Sequence, residues 1–417
     1  MKKNIFDNGV EKISLKPMLN DSITQSLIKQ QYRIVGHHSG VKVCGWTKNM
    51  LKGEGGCYKL KFYGINSIQC LQMTTSFSCA NRCVFCWRDY KAPVSTKWEW
   101  TIDSPNLIYN EAIHAQEKLL EGFKGNPKVD SRAYEMSRHV KHAALSLNGE
   151  PINYPHFNEF LERLNAEGIS TFVVTNGQYP EKIENMIPVT QLYISMDAPN
   201  KELMKVVGKP LFSDYWERFN RSLEAMANKK ERTAIRITMI KGLNDVEPEN
   251  YAKQIMKADA DFVEIKGYMH IGASQERLSR DHMPSNEEIY FFTKDILSFL
   301  ERDYELVSEH LPSRVFLLAK KKFKIVTDGL SNKVDVDWKI WIDFNKWNKL
   351  VSDGKKSIDF KDYSMNIPVQ FIGVKIDTLT PMKEDRDKHL KEIKTLIDSE
   401  KPEYLSVCEH GWEGDLE

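Results

Sequence analysis

Between Ala143 and Leu318, short apolar runs alternate with amphipathic segments, and this alternation restricts the chain to few architectures. The runs AALSLNG, STFVVTN, QLYISMDA, TAIRITMIKG and DFVEIKGYM are bounded by turn residues and read as buried strands. Between them, HFNEFLERLNAEG, SDYWERFNRSLEAMANKK and PENYAKQIMKA place apolar residues at three- and four-residue intervals, the helical pattern. SNEEIYFFTKDILSFLERD opens with Ser285 and Glu288 spaced as a capping box. Strand–helix alternation implies a parallel sheet covered by helices. With the strand expected in SIQCLQMTT there are about six units, too few to close an eightfold barrel. The expected fold is therefore α/β, a partial (β/α)6 barrel. It divides into an N-terminal cysteine-bearing extension (1–70), the barrel core (71–325) and a C-terminal extension (326–417). The last part of that extension, with RDKHLKEIKTLIDSE, reads as a separate helix and tail.

Composition narrows the class without naming a function. No run approaches the ~20 apolar residues of a membrane-spanning helix. The start, MKKNIFDNGVEKISLKP, lacks the apolar stretch of a secretory signal, so a cytoplasmic protein is expected. A net charge of +1 gives no global argument for nucleic acid and leaves only local basic patches to consider.

Six of the seven cysteines lie between Cys44 and Cys86, with Cys408 a bystander near the end. Clustered thiols in a reducing compartment point to metal or redox chemistry rather than disulfides. Cys79, Cys83 and Cys86 form C-x3-C-x2-C in SFSCANRCVFCW. A structural zinc site is normally closed by four ligands. Three soft thiolates suit an iron–sulfur cluster that normally takes four, leaving one iron open for another ligand. Zinc-knuckle ligation is the plainer alternative.

This motif, with Phe85 just before its last cysteine, resembles the signature of the radical S-adenosylmethionine (SAM) superfamily, whose fold is a partial (β/α) barrel. The resemblance implies that the open iron chelates SAM and that reductive cleavage yields a 5′-deoxyadenosyl radical. SLNGEP resembles the superfamily's GGEP, with Asn148 in place of the first glycine, and Gly149 and Glu150 carrying the role of binding the SAM amino group. Asn176 in VVTNG, and Ser195 and Asp197 in ISMDA, fall at strand C-termini, where barrel active sites are built. They are candidates for the SAM ribose and carboxylate, with helix capping as the alternative.

Cys44, Cys57 and Cys70 are evenly and widely spaced, and spacing alone supports no more than an unspecified metal site. The surrounding words are more specific. CYKLKFYGINSIQCLQMTTSFSCANRCVFCWRD, ALSLNGEPINYPHFNEFL, FVVTNGQYP, PVTQLYISMDAP and VEIKGYMHIGAS resemble the 4-demethylwyosine synthase family of tRNA-wybutosine biosynthesis. The likeness runs from about residue 40 to residue 380. Ile68 stands where many relatives have His. With no room for the flavodoxin-like domain of eukaryotic members, the chain resembles the shorter archaeal form and is expected to need an external flavodoxin- or ferredoxin-type electron donor.

The resemblance implies a substrate, tRNA(Phe) carrying N1-methylguanosine, and pyruvate as two-carbon donor. It also implies two 4Fe–4S clusters, the second on Cys44, Cys57 and Cys70 and able to chelate pyruvate. Lys59 is a candidate to form a Schiff base with pyruvate or to pair electrostatically with its carboxylate, and the sequence leaves both open. Lys320, Lys321, Lys322 and Lys324 in AKKKFK, with Arg277, are candidate tRNA contacts, although a charge run is usually a solvated face. Trp87 is a candidate to stack on a flipped base, or else a core residue. A monomer with no membrane association is expected. The rival readings are a radical SAM enzyme with an auxiliary cluster and another substrate, or a zinc-stabilised RNA-binding protein.

Overall fold

The computed structural model describes residues 16–328 and 334–374. Cys408 and the helix expected in RDKHLKEIKTLIDSE lie outside the described residues. Among the described residues, ten strands form one open sheet. Its centre is six parallel strands: β3 (Cys70–Thr74), β4 (His142–Leu145), β5 (Ser170–Thr175), β6 (Gln191–Ser195), β7 (Arg232–Met239) and β8 (Phe262–Gly267). These are the six units expected from the sequence. The sheet is extended at one edge by the antiparallel β1 (Arg33–Val35) and β2 (Ser39–Val41). At the other it is extended by β10 (Val315–Lys320) and β9 (Tyr304–His310), both in antiparallel ladders.

Side chains alternate across the sheet with period two. Leu71, Met73, Ala143, Leu145, Val173, Leu192, Ile194, Ile235, Ile237, Val263 and Ile265 face the helices and join one large apolar core. The helices 157–166, 215–227, 248–258 and 286–298 supply its other half, each burying an apolar stripe such as Phe160, Leu161 and Leu164. The expected capping box is present, with Ser285 and Glu288 each holding the other's backbone N–H.

The opposite parity points into the barrel: Cys70, Gln72, Thr74; His142, Ala144; Phe172, Val174; Tyr193, Ser195; Arg232, Ala234, Arg236; Phe262, Glu264, Lys266. At the strands' N-terminal ends this interior is filled by aromatic packing. Phe172, Tyr193, Ala234 and Phe262 meet Tyr58, Phe62 and Tyr63 from the helix 58–63. Trp338, Trp347, Tyr363 and Ile367 from the tryptophan-rich stretch complete the same cluster. Tyr363 ties this floor to the sheet: its hydroxyl donates to Thr190 O (2.9 Å) and accepts from Arg232 N (2.9 Å).

Candidate active site

The loop 76–88 follows β3 at the C-terminal mouth and carries Cys79, Cys83 and Cys86, all partly buried free thiols. Two arginines hold its shape. Arg88 donates to Phe77 O and Pro93 O (both 3.1 Å) and to Asn81 O (3.2 Å). Arg277 donates to Val84 O (3.1 Å) and to the carbonyls of Cys86 and Arg88. Arg277 is therefore buried, 5% exposed, and braces the thiol loop; this corrects its reading as a tRNA contact.

The SLNGEP turn packs directly on this loop. Gly149 adopts φ +66°, and a Cβ there would lie 2.0 Å from Ser76 O, so only glycine fits. Glu150 N donates to Ser78 O (2.8 Å), and Asn176 N donates to Glu150 Oε2 (2.9 Å). Glu150 Oε1 is buried without a partner, and burial pushes this carboxyl up to about 7. Asn176 also donates to Cys79 Sγ (3.3 Å). Asp197 accepts from Thr238 N (2.9 Å), and burial lifts it to about 6. Ser195 lies on the interior face of β6. Asn148 turns away to the Tyr32 hydroxyl (3.3 Å), while its Oδ1 is buried without a partner.

Phe85 and Trp87 are spent on packing. Phe85 lies against the helix-facing core. Trp87 stacks on Tyr32 with ring centroids 6.2 Å apart, and the Lys42 ammonium sits 5.1 Å from its ring centre. A base stacked on the face of Trp87 that Tyr32 covers would have to displace Tyr32.

Burial raises Cys79 to about 11 and lifts Cys83 well above the ordinary thiol value. For Cys83 the charges of Cys86, Cys79 and Asp197 act next, so the sequence motif and these carboxylates share one neighbourhood.

The second thiol set forms a separate centre. Cys44 and Cys57 occupy the N-cap positions of the helices 45–51 and 58–63, and Cys70 opens β3 on its interior face. Burial raises Cys57 to about 11 and Cys70 to about 12, with Cys44 the next largest influence on both and Lys59 opposing. Lys59 places its ammonium 4.7 Å from the Tyr193 ring centre and 5.9 Å from that of Phe172, inside the barrel. Ile68 fills a small apolar cluster with Val43, Leu51 and Leu120 beside this centre, which accounts for an aliphatic side chain at that position.

Each centre offers three soft sulfur donors, and burial raises Cys79 and Cys83 at the first and Cys57 and Cys70 at the second, so a cationic group is what would draw those four into thiolates, which fits a 4Fe–4S cluster with one open iron. Among the described residues no three His, Cys, Asp or Glu side chains gather closely enough to hold a single metal ion. At the first centre, the orphaned Glu150 oxygen suits the ammonium group of SAM.

The lysine run is placed at the far end of the barrel from the thiol loop, with Lys321 and Lys322 exposed. Lys320 N bonds to Asp261 O just before β8 begins, so the run sits at the strands' N-terminal ends, opposite the Cys79 loop. Lys320 is 8% exposed and paired with Asp259; Lys322 pairs with Asp261 (2.5 Å) and Lys324 with Glu305 (2.7 Å). Lys321 reaches Glu301 O (2.6 Å) and Glu305 (3.9 Å). Acids from neighbouring segments pair with these lysines, while Lys321 and Lys322 keep 40% and 38% of their side chains exposed.

Three interior side chains were not singled out from sequence: Arg236, Glu264 and Lys266. Their signal was available, as charged residues at every second position of otherwise apolar strands, AIRIT and VEIKG.

Comparison with known proteins agrees with this geometry. The radical SAM superfamily model matches residues 73–255, and a model for wyosine base formation matches residues 257–320. Fold and thiol loop together define a radical SAM protein, which implies SAM and one 4Fe–4S cluster. A solved structure of TYW1 with a lysine-pyruvate adduct bound is 33% identical, covers 74% of this chain and 98% of that one, and superposes with a TM-score of 0.67. An archaeal TYW1 crystal structure is 31% identical over 74% of this chain and 99% of its own, with a TM-score of 0.61. The chain belongs to the TYW1 family. The tRNA 4-demethylwyosine synthases of Homo sapiens and Saccharomyces cerevisiae are 43% and 37% identical over 85% and 87% of this chain. The chain spans about half the length of these curated relatives, 48% and 44% respectively. Among the described residues no helix is long and apolar enough to cross a membrane.

Proposed function

We propose that this chain carries the activity of a tRNA 4-demethylwyosine synthase. It converts N1-methylguanosine in tRNA(Phe) to the tricyclic nucleoside with pyruvate as two-carbon donor. The observation that carries the reading is the convergence of two three-thiol centres and Lys59 on one barrel interior. Cys79, Cys83 and Cys86 hold a 4Fe–4S cluster, and Cys44, Cys57 and Cys70 hold a second. With SAM bound, the first supplies one-electron reductive cleavage of the sulfonium. Glu150 accepts the SAM ammonium at its orphaned Oε1, while Asn176, Ser195 and Asp197 line the same mouth.

Lys59 supplies the pyruvate site. Its amine adds to the keto carbon and water leaves, giving an imine; the lysine-pyruvate adduct of the TYW1 structure 33% identical to this chain supports this role over simple charge pairing. The rings of Tyr193 and Phe172 lie beside that nitrogen and give it an apolar wall. The protein acts as a cytoplasmic monomer and takes electrons from a flavodoxin- or ferredoxin-type donor.

The test is anaerobic reconstitution followed by incubation with methylated tRNA(Phe), SAM, pyruvate and dithionite, with nucleosides weighed by mass spectrometry. The tricyclic product should appear with pyruvate and vanish in Cys44→Ala and Cys83→Ala. Borohydride should trap one pyruvate on the wild type and none on Lys59→Arg. 5′-Deoxyadenosine without tricyclic product in the wild type overturns the substrate assignment.

A further inference from the structure

Two arginines share the interior face of β7, and they are treated differently. Arg232 is fully used: Nε donates to Gln191 Oε1 (3.1 Å), Nη1 to Ser364 Oγ (3.0 Å) and Nη2 to Ile340 O (2.6 Å). Arg236, four residues nearer the thiol mouth, makes no side-chain hydrogen bond or ion pair among the described residues, and its Nε is buried without a partner. A guanidinium is always charged, and a buried charged donor without an acceptor is costly. Burial pulls its pKa down, yet Tyr58, Glu264, Asp197 and Tyr193 together hold it above its ordinary value.

The nearby acids do not serve as its partner. Glu264 is beside Arg236 in register, but its two oxygens accept the hydroxyls of Tyr58 (2.9 Å) and Tyr63 (2.8 Å). Asp197 accepts from Thr238 N instead. Lys266, on the same face of β8, donates only to Ser313 O (2.5 Å). Its surroundings include Arg236, Cys57 and Glu264. The interior wall thus carries an excess of cations, and one of them has a planar fork with nothing in it. Such a fork matches a carboxylate through two parallel hydrogen bonds.

We propose that Arg236 is the receptor for the carboxylate of the α-keto acid co-substrate, holding it in the chamber between the two thiol centres. This rests on the function proposed above. Two carboxylates enter that function, the keto acid's and SAM's. Arg236 has neighbours on both sides, Ser195 and Asp197 towards the SAM mouth and Tyr58 and Tyr193 towards the second centre; it is assigned to the keto acid because Tyr58 follows Cys57 and Tyr193 is the ring against which Lys59 lies. A keto acid joined to Lys59 through its carbonyl carbon directs its carboxylate along that wall.

The experiment measures KM for pyruvate and for SAM in wild type, Arg236→Gln and Arg236→Lys. It also measures equilibrium binding of radiolabelled pyruvate to the anaerobically reconstituted protein, with iron content and circular dichroism matched. Losing a charge-assisted pair raises KM and Kd for pyruvate roughly 10- to 100-fold in Arg236→Gln, with KM for SAM within about twofold. Arg236→Lys recovers part of the loss, and it decides the question if Arg236→Gln does not fold. Pyruvate KM and Kd unchanged in both variants overturn the proposal, and a selective rise in KM for SAM overturns it by reassigning the fork to SAM. A wild type that makes no tricyclic product but still binds pyruvate through Arg236 would sink the proposed function and leave this carboxylate site standing.

Discussion

Gly149→Ala tests whether the turn before Glu150 positions the thiol loop through direct backbone contact. Two costs add at this position. A residue with a Cβ at φ +66° pays about 1–2 kcal/mol for the left-handed region. The new Cβ would also stand 2.0 Å from Ser76 O and within 2.9 Å of the Phe77 backbone, so β4 and the start of the thiol loop must separate. Overpacking of that kind costs about 1–3 kcal/mol, for a total of about 2–5 kcal/mol. Gly354 is the control, since it has φ +71° with nothing within 4 Å of its Cβ and so carries the backbone term alone. For 417 residues the unfolding entropy is roughly 0.9 kcal/mol per kelvin. Scanning calorimetry of the cluster-free protein should then show Tm falling by about 2–6 °C in Gly149→Ala and about 1–2 °C in Gly354→Ala. Only Gly149→Ala should also weaken SAM binding after reconstitution. Equal shifts in the two variants, with SAM binding intact, refute the idea that this glycine exists to admit Ser76.

Glu150 has its folded pKa raised from 4.5 to about 7, so the stability its neutral form contributes is present below about pH 4.5 and lost as pH rises through about 7. Urea unfolding of the cluster-free protein should show the wild-type stability minus that of Glu150→Gln falling by about 3 kcal/mol from pH 4.5 to pH 8; a flat difference contradicts the burial argument. Arg232→Met strands acceptors on Gln191, Ser364 and Ile340 and should cost about 3–5 kcal/mol in chemical denaturation, because it breaks the floor of the barrel. The Lys321→Ala, Lys322→Ala double variant should leave the salt dependence of tRNA binding unchanged, whereas each lost phosphate contact would lower the slope of log K against log salt by about 0.7–0.9.

The sequence was most informative where local chemistry decides the structure. Six parallel strands were readable because buried strands must be apolar along their length and must end at turn residues. The outer strands were not: β1 and β2 are three residues each, and YELVSEH carries two glutamates within β9. The thiol loop was readable from spacing, since ligands to one cluster must be close in sequence when they share one loop. The pairing of the candidate tRNA lysines was not legible, for the opposite reason. A run such as AKKKFK shows its own charge but not Asp259, Asp261 and Glu305, which reach it from other segments. Arg277 was likewise read without the carbonyls of Val84, Cys86 and Arg88 that absorb it.

The placement of those lysines bears on how a nucleotide reaches the chamber. At the strands' N-terminal ends the interior is stopped by Tyr58, Phe62, Tyr63, Trp338, Trp347 and Tyr363, packed without space for a base. The same packing lies against Cys57 and contributes to the burial that raises its pKa. A base must therefore approach past the loops at the C-terminal ends, where Cys79, Glu150, Asn176 and Asp197 stand. Arg236 and Lys266 lie on the wall between that mouth and the aromatic floor. An anionic keto acid drawn to this wall sits deeper than a nucleotide entering at the mouth, so the order of binding follows from the shape: the small acid first, the tRNA over it. Pyruvate added after saturating tRNA should then turn over more slowly in the first cycle than pyruvate added before it. Equal single-turnover rates in the two orders of addition would mean that the chamber has a second entrance.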